Sequence, residues 1–260
     1  MGTLFIIATP IGNLGDISSR AIETLRQADT IACEDTRHTI KLLNHFGIHK
    51  PLTSYHEFNE EEKAAELVRK IETGTNVALV SDAGTPGVSD PGYRLVRLCR
   101  QRAITVVAIP GASAAVTALS ASGLPSNEFM FVGFLPSKKS ARHGKLNALK
   151  NLPCTMVFYE APHRISQTLE DLQQILGDRE VCIARELTKI HEEYLFGKLS
   201  DVKGQVKPLG EFVIVAAGGV EQVEESVDLS ALSRKEAIKV IAERLHVSRN
   251  DLYDLLFKKE

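Results

Sequence analysis

Apolar and polar positions in residues 1–122 alternate in blocks that predict strands and helices in turn. Short apolar runs predict buried strands over Leu4–Ala8, Thr30–Cys33, Val77–Val80 and Thr105–Ile109. The amphipathic segments between and after them predict helices over Asp16–Gln27, Thr36–Phe46, Glu60–Glu72, Gly92–Gln101 and Ser113–Ser122. Strands that alternate with helices favour a largely parallel sheet. We therefore predict an N-terminal α/β domain over residues 1–122.

The pattern changes after Gly123, where strands become more frequent than helices. Strands are predicted over Phe129–Phe134, Thr155–Tyr159, Val181–Arg185, Glu193–Phe196 and Phe212–Ala216, and helices near Ala141–Lys150 and His163–Leu176. This arrangement is typical of a smaller mixed sheet with helices on it. We predict a second α/β domain over residues 123–219, so that the protein is an α/β fold of two domains.

Residues 220–260 are predicted to form an acidic linker and a basic helical tail. Ser233 to Glu236 and Ser248 to Asp251 both have the form of a capping box, and each precedes a short amphipathic segment. Two short helices in this arrangement resemble half of a helix-turn-helix unit. Two interpretations stay open: the helical pair packs on the body or on a second subunit, or its basic residues contact a nucleic acid.

Composition adds few constraints. The chain has 260 residues, of which 43% are hydrophobic, and a formal net charge of −2. Overall charge therefore gives no sign of nucleic-acid binding, which would have to come from local patches. The four cysteines are scattered without metal-ligand spacing, so we expect reduced thiols and no bound metal. With no basic leader and no long apolar span, we expect a cytoplasmic protein without a membrane segment.

The segment Ser81–Gly92 is the most informative stretch of the chain. It follows the predicted strand Val77–Val80 and holds three glycines, two prolines and two aspartates. Such a segment forms a folded loop, and open α/β sheets bind ligands at the carboxyl ends of their strands. The segment Thr9–Asp16 takes the same position after the first strand, but it is neither a GxGxxG turn nor a P-loop. We predict that both loops hold a small molecule.

Charged segments follow three other predicted strands, at Glu34–His38, Tyr159–Arg164 and Arg185–Lys189. Carboxylates beside arginines can accept a proton or hold a phosphate. Helix capping and ion pairing are the alternative interpretations. His56 is a weaker candidate for a base. The basic run Lys138–Lys145 is either a solvated surface or a contact for a nucleic-acid backbone.

Taken together, these loop motifs resemble one group within the tetrapyrrole methylase superfamily. That group consists of bacterial enzymes that methylate the ribose 2′-oxygen of a decoding-centre cytidine in 16S ribosomal RNA. One departure from the wider superfamily is that its early Gly-x-Gly-x-Gly-Asp run is here Thr9–Asp16, which is typical of the RNA-methylating group. The resemblance extends from residue 3 to about residue 217 and is carried by Ala8–Leu14, Cys33–Arg37, Ser81–Gly92, Ile109–Ala114, Gly133–Pro136, Tyr159–Arg164 and Ala184–Lys189.

The resemblance implies a cleft between the two domains that binds S-adenosyl-L-methionine. By position, the methionine and ribose portions would contact Gly84, Thr85, Pro86 and Val88. The methionyl end would contact Ala112, Ser113 and Ala114, and Pro10 would lie near the reacting methyl group. Leu135, Ala161, Gly210 and Glu211 would close over the adenine.

For the substrate, the resemblance implies the small ribosomal subunit with its 16S RNA, and a homodimeric enzyme. Candidates for substrate positioning and for a proton acceptor are Glu34, Asp35, Arg37, Glu160, Arg185 and Lys189. Candidates for RNA contact are Lys138, Lys139, Arg142, Lys145, Arg164, Arg234, Lys235 and Arg249. The alternatives are methylation of a tetrapyrrole or of a modified histidine on an elongation factor, and a non-catalytic RNA-binding assembly factor.

Overall fold

The computed structural model of the chain describes residues 1–219, 232–244, 248 and 252–253. It has two compact units, residues 1–219 and residues 220–260. The first unit holds two five-stranded sheets. The predicted α/β fold is confirmed, whereas the predicted domain boundaries at residues 122 and 219 stay a prediction.

The first sheet is parallel throughout the strand pairs that define it and has the order β3-β2-β4-β1-β5. Its strands are β1 Thr3–Ile7, β2 Thr30–Cys33, β3 Leu52–Ser54, β4 Val77–Val80 and β5 Thr105–Ile109. Every residue of β2 and of β4 is buried, as their unbroken apolar runs predict. The sequence pattern misses β3, because this half-buried edge strand is only three residues long.

The helices of this half lie close to their predicted bounds: α1 Ser19–Gln27, α2 Thr36–His45, α3 Glu60–Glu72, α4 Tyr93–Gln101 and α5 Ala114–Ala121. The start predicted for α1 at Asp16 is wrong. Leu14–Asp16 forms a separate 3₁₀ turn, and Ser18 caps α1 by accepting a hydrogen bond from the Ala21 N–H. A serine side chain that satisfies a free N–H fixes where a helix begins.

The second sheet is mixed, as predicted, with the order β6-β7-β10-β8-β9. The pair β6–β7 is parallel and the other three pairs are antiparallel. Its strands are β6 Phe129–Phe134, β7 Thr155–Glu160, β8 Glu180–Arg185, β9 Glu193–Lys198 and β10 Phe212–Ala216. The helices are α6 Lys139–Leu149, α7 Ile165–Leu176 and the short α8 Leu199–Val202, which the sequence pattern misses.

Helix α5 connects the two halves. It follows the last strand of the first sheet, yet its buried residues Ala115, Ala118 and Leu119 pack in one apolar cluster with Val157 and Val213 of the second sheet. The chain therefore passes from one sheet to the other along this helix. The loops after β1 and β4 are thereby brought against the end of β7 and the start of β10.

The second unit contains α9 Arg234–Arg244, whose Ile238 and Ala242 pack with Leu252. One bond of the first predicted capping box is present, because the Ser233 N–H donates to the Glu236 carboxylate. The Ser233 hydroxyl donates to the same carboxylate. The predicted acidic linker and nearly all of the second predicted tail helix lie outside the described residues. Within the described part of the chain, no helix has the length and apolar character needed to cross a membrane.

Candidate ligand cavity between the two sheets

A cavity of about 650 Å³ lies where the loops of the two sheets meet. The first half contributes the loops after β1 and β4 and the start of α5. The second half contributes the ends of β6, β7 and β8 and the start of β10. The lining residues are Ile11, Asp82, Ala83, Gly84, Thr85, Val88, Ser89, Asp90, Ser113, Ala114, Val116, Phe134, Tyr159, Glu160, Ala161, Pro162, Leu187, Glu211, Phe212 and Val213.

Backbone hydrogen bonds hold the loop after β4 against the end of β1. The Thr9 N–H donates to the Gly84 carbonyl at 2.9 Å, and the Gly84 N–H donates to the Thr9 carbonyl at 3.1 Å. The Thr9 hydroxyl adds a bond to the Ser81 carbonyl at 3.1 Å. Gly84 has φ +82° and Ser89 has φ +61°, a region that few side chains adopt. These hydrogen bonds hold the loop after β4 against the end of β1.

Gly92 closes the loop because no larger residue fits there. Its φ is +151°, and a Cβ atom added to it would lie 3.0 Å from the Gly87 nitrogen. The two glycines therefore bring the end of the loop back onto its middle. This close approach orients the intervening Val88, Ser89 and Asp90 toward the cavity that they line.

The second half supplies an aromatic wall. Tyr159 lies in the cavity lining, and its ring makes edge contacts with Phe131 and Phe134 at centroid distances of 5.0 and 5.6 Å. Its hydroxyl accepts a hydrogen bond from the Ala115 N–H at 3.1 Å, so the first turn of α5 fixes the ring. Such a wall suits the flat face of an aromatic ligand group.

Carboxylates gather on the side of the cavity that the first half forms. Asp82 and Asp90 line it, and Glu34 lies close enough to interact with both. Burial and the charge of Asp82 raise the pKa of Glu34. Burial, followed by the charge of Glu34, raises the pKa of Asp90 to about 6. This side of the cavity carries negative charge in a partly desolvated setting.

The predicted cofactor contacts divide into two groups. Seven line the cavity: Gly84, Thr85, Val88, Ser113, Ala114, Ala161 and Glu211. The other five, Pro10, Pro86, Ala112, Leu135 and Gly210, are not among the lining residues. The side chain of Leu135 is buried in the apolar core beneath the second sheet, so it is not available to a cofactor. A contact through its backbone stays a prediction.

Glu160 alone of the six predicted positioning residues lines the cavity, and its carboxylate is already engaged. Its side chain is 0% exposed and pairs with Arg164 at 3.3 Å. It also accepts hydrogen bonds from the Thr168 hydroxyl at 2.6 Å and the Ala161 N–H at 2.9 Å. These contacts are those of a structural carboxylate that anchors the start of α7.

Asp35 and Arg37 likewise form the helix cap that was the alternative interpretation. Asp35 accepts the Arg37 N–H at 2.8 Å at the start of α2 and forms an ion pair with the Arg37 guanidinium at 2.7 Å. The hydrogen bonds from Arg37 lower the pKa of Asp35 to about 2. An exposed, fully ionised carboxylate of this kind is a poor proton acceptor at neutral pH.

The basic residues predicted beyond β8 are engaged in ion pairs. Arg185 pairs with Glu193 at 2.9 Å. Lys189 bridges Glu186 and Glu211, at 2.9 and 2.8 Å. The network holds the loop after β8 beside the cavity, and neither residue lines it.

Two of the predicted RNA contacts have guanidinium groups that bind other groups of the fold. Arg142 is 2% exposed and donates to Asp171 at 2.6 Å and to the Ser137 carbonyl at 2.9 Å. Arg164 donates to the Leu135 carbonyl at 2.6 Å and pairs with Glu160. The prediction that Arg142 contacts RNA is therefore wrong for this structure, because its guanidinium group is used inside the fold. The side chain of Arg164 is 21% exposed, and its contact with RNA stays a prediction.

The lysines beside them are exposed. Lys138, Lys139 and Lys145 project from the start and middle of α6. They lie a few residues beyond Phe134, which lines the cavity. Lys235 is exposed on α9, the side chain of Arg234 is not described, and Arg249 lies outside the described residues.

Sequence reasoning missed several lining side chains, of which Asp82, Asp90 and Tyr159 are the polar ones that matter most. The first two lie in the very loop whose glycines point to a ligand. A carboxylate in a ligand loop is a candidate site residue, so Asp82 and Asp90 could have been predicted from the sequence. In the sequence, Tyr159 is the last residue of a predicted strand, and only the structure shows that it lines the cavity. Across the described residues, no group of His, Cys, Asp and Glu is arranged to hold a metal ion.

The family of the chain follows from comparison with known proteins. Residues 3–203 match the model of the tetrapyrrole (corrin/porphyrin) methylases, and the chain belongs to this family.

Its curated relatives include proteins named ribosomal RNA small subunit methyltransferase I. The relative from Halalkalibacterium halodurans is 47% identical, over 98% of this chain and 94% of its own length. Those from Synechocystis and Escherichia coli O157:H7 are each 45% identical over 100% of this chain, and over 99% and 96% of their own lengths. Within the methylases, the chain belongs with these small-subunit ribosomal RNA methyltransferases.

Solved structures show the same fold at low sequence identity. A uroporphyrin-III C-methyltransferase from Thermus thermophilus has a TM-score of 0.58 and 20% identity, over 83% of this chain and 94% of its own. A diphthine synthase has a TM-score of 0.62 and 18% identity, over 83% and 90%. The identification of the family from the loop motifs is confirmed, and with it the prediction of a methyltransferase.

Proposed function

We propose that this chain transfers a methyl group from S-adenosyl-L-methionine to the ribose 2′-oxygen of a decoding-centre cytidine in 16S ribosomal RNA. The observation that carries the proposal is a cavity built by loops of both halves. Seven of its lining residues are ones that the family resemblance assigns to the cofactor. The relatives that match almost the whole chain are named for methylation of small-subunit ribosomal RNA.

The cavity suits S-adenosyl-L-methionine in size and in chemistry. Its volume lies within the range of about 300–1,000 Å³ that is usual for small-molecule sites. Tyr159 and Phe134 offer an aromatic wall to an adenine, and Asp82 and Asp90 supply negative charge near a positively charged ligand. Gly84, Thr85, Ser113, Ala114 and Ala161 would hold the cofactor. When bound, it supplies a methyl group activated by a positively charged sulfur.

The protein's own contribution is mainly alignment and exclusion of water. The reciprocal Thr9–Gly84 hydrogen bonds fix the loop after β4 in advance. The Tyr159 hydroxyl, bound by the Ala115 N–H, fixes the opposite wall. Holding two reactants in line can lower a barrier by up to about 7–11 kcal/mol. We therefore expect alignment in the cavity to supply most of the rate enhancement.

The substrate would approach over the start of α6. Lys138, Lys139 and Lys145 are exposed there and can neutralise RNA phosphates. We also propose that the enzyme acts in the cytoplasm on the small ribosomal subunit, as a homodimer. The exposed Lys235 of α9 would extend the contact with RNA.

Replacing Lys138, Lys139 and Lys145 together by alanine is expected to weaken binding to the small subunit and to reduce its salt dependence. Each lost phosphate contact lowers the slope of log K against log salt by about 0.7–0.9, so three contacts lower it by about two to three. Fluorescence titration of labelled subunits between low and moderate salt measures the slope. Cofactor affinity should stay unchanged.

The matched control removes three positive charges elsewhere. Lys70, Arg100 and Arg102 lie at the carboxyl-terminal ends of α3 and α4, on the sheet edge opposite the cavity. Their triple alanine variant has the same net charge as the α6 variant. An equal loss of slope in both variants would show that only total charge matters, which would exclude a docking surface on α6.

The proposed reaction is tested by incubating the protein with methyl-labelled cofactor and small subunits that lack the modification. Label in a single dinucleotide that resists alkaline hydrolysis is the expected result, because 2′-O-methylation blocks cleavage at that ribose. Label in a tetrapyrrole or in an elongation factor instead would show that the enzyme acts on another class of substrate. No transfer to any of these, with intact cofactor binding, would favour an assembly factor.

A further inference from the structure

Five titratable side chains line the cavity: Asp82, Asp90, Tyr159, Glu160 and Glu211. A methyltransferase that acts on a hydroxyl gains about 10²–10⁴-fold from a group that takes the proton. Such a group must face the cavity, must be unprotonated near neutral pH and must not be occupied by a positively charged partner.

Three of the five do not meet these conditions. Glu160 is fully buried and engaged with Thr168 and Arg164. Glu211 pairs with Lys189 at 2.8 Å. Burial and the nearby charge of Asp90 raise the pKa of Tyr159, so its phenol stays protonated at neutral pH. Asp90 and Tyr159 line the same cavity.

Asp82 and Asp90 remain, and their hydrogen bonds differ. Asp82 accepts the Asp35 N–H at 3.2 Å, which ties the loop after β4 to the start of α2. The Ser81 hydroxyl opposes the rise in the pKa of Asp90, and among the described residues no Lys, Arg or His forms an ion pair with Asp90. It lies between Ser89, at φ +61°, and the Pro91-Gly92 closure of the loop, which restricts where its carboxylate can point.

We propose that Asp90 is the residue that accepts the proton of the substrate hydroxyl, a role that rests on the proposed function. In this step the ribose O–H bond breaks and its proton passes to an Asp90 carboxylate oxygen. The ribose oxygen forms its new bond to the donor's methyl carbon. The carbon–sulfur bond breaks, and its electron pair stays on the formerly positive sulfur, which leaves a neutral thioether. Charge balances, because one carboxylate and one sulfonium are consumed.

The surroundings of Asp90 tune it for this role. The titratable groups that face it are Glu34 at the end of β2, Asp82 on its own loop and Tyr159 on β7. Burial raises the pKa of Asp90 to about 6, with Glu34 and Asp82 adding to the rise and Ser81 opposing it. A base with a pKa close to the working pH transfers protons most effectively. The carboxylate is ionised above this pKa, so activity should fall as the pH drops through about 6.

The test compares D90N with D82N and D90E in single turnovers on small subunits at saturating cofactor, with affinity measured separately by calorimetry. D90N is expected to lower the rate at neutral pH roughly 10²–10⁴-fold and to abolish the acid limb of its pH profile. D90E should recover part of the rate and D82N should keep the acid limb. A D90N rate within tenfold of wild type, or an acid limb lost in D82N and retained in D90N, would overturn the proposal.

A second readout does not depend on activity. Carboxyl ¹³C NMR of the ligand-free protein, labelled at aspartate, should show a resonance that titrates near pH 6 and is absent in D90N. In E34Q the midpoint should move to lower pH, because a neighbouring like charge is removed. An Asp90 resonance that titrates near pH 4 would contradict the role. If wild-type protein fails to methylate the subunit at all, the proposed function is wrong. The NMR result would still test the ionisation of Asp90, because it does not depend on activity.

Discussion

Replacing Ala114 by tryptophan is expected to weaken S-adenosyl-L-methionine binding at least about 100-fold, or about 2.8 kcal/mol. Ala114 begins α5 and lines the cavity of about 650 Å³. An indole at this position would occupy space that the ligand needs, and the fixed loop after β4 leaves little room for relaxation. Isothermal titration calorimetry with the cofactor measures the loss.

The same substitution at Ala161 tests whether the cavity is shared. Ala161 follows β7 and lines the cavity from the second half, so A161W should weaken binding by a similar factor. Ala148, an exposed residue of α6, provides the matched control, and A148W should bind the cofactor as wild type does. Normal affinity in A114W and A161W, with normal melting temperatures, would mean that the ligand binds elsewhere.

Replacing Arg142 by methionine is expected to destabilise the protein by about 3–5 kcal/mol, because it leaves a buried carboxylate without its charged partner. Asp171 is 3% exposed and binds both Arg142, at 2.6 Å, and His143, at 2.8 Å. Burial alone would raise the pKa of Asp171, but the hydrogen bonds from His143 and Arg142 hold it below its usual value. This pair therefore stabilises the fold at neutral pH, and its contribution is lost as the pH falls below the ordinary carboxyl range. Denaturant unfolding measures the change.

Two further variants show whether the effect comes from the buried ion pair. The double variant R142M/D171L removes both charges and should recover most of the lost stability. K145M changes an exposed residue of the same helix and should leave stability nearly unchanged. If R142M instead kept full stability and lowered the salt slope of RNA binding, Arg142 would be an RNA contact after all.

The loops that form the cavity were predictable because their residues act through the backbone. Gly84, Gly87 and Gly92 all have positive φ, and a run of glycines and prolines after a buried strand predicts such a loop. The strands β2, β4 and β5 match their predicted bounds for a similar reason, since a short apolar run depends little on distant partners. The three-residue edge strand β3 lacks that signal.

The roles of charged side chains were harder to predict because the fold decides which of them bind one another. Arg142 looks like part of a basic surface until the fold brings Asp171, 29 residues away, against it. Glu160 looks like a functional carboxylate until α7 places Thr168 beside it. In both cases the decisive contact comes from a residue of α7. The sequence therefore predicts the loops better than it predicts which charged side chains bind other groups of the protein.

A crystal structure with S-adenosyl-L-homocysteine shows whether the cavity between the two sheets holds the methyl donor. We expect density for the ligand against Gly84, Thr85 and Ala114 on one side and Tyr159 and Ala161 on the other. Density bound only outside this cavity, or none at concentrations that saturate calorimetric binding, would contradict the account.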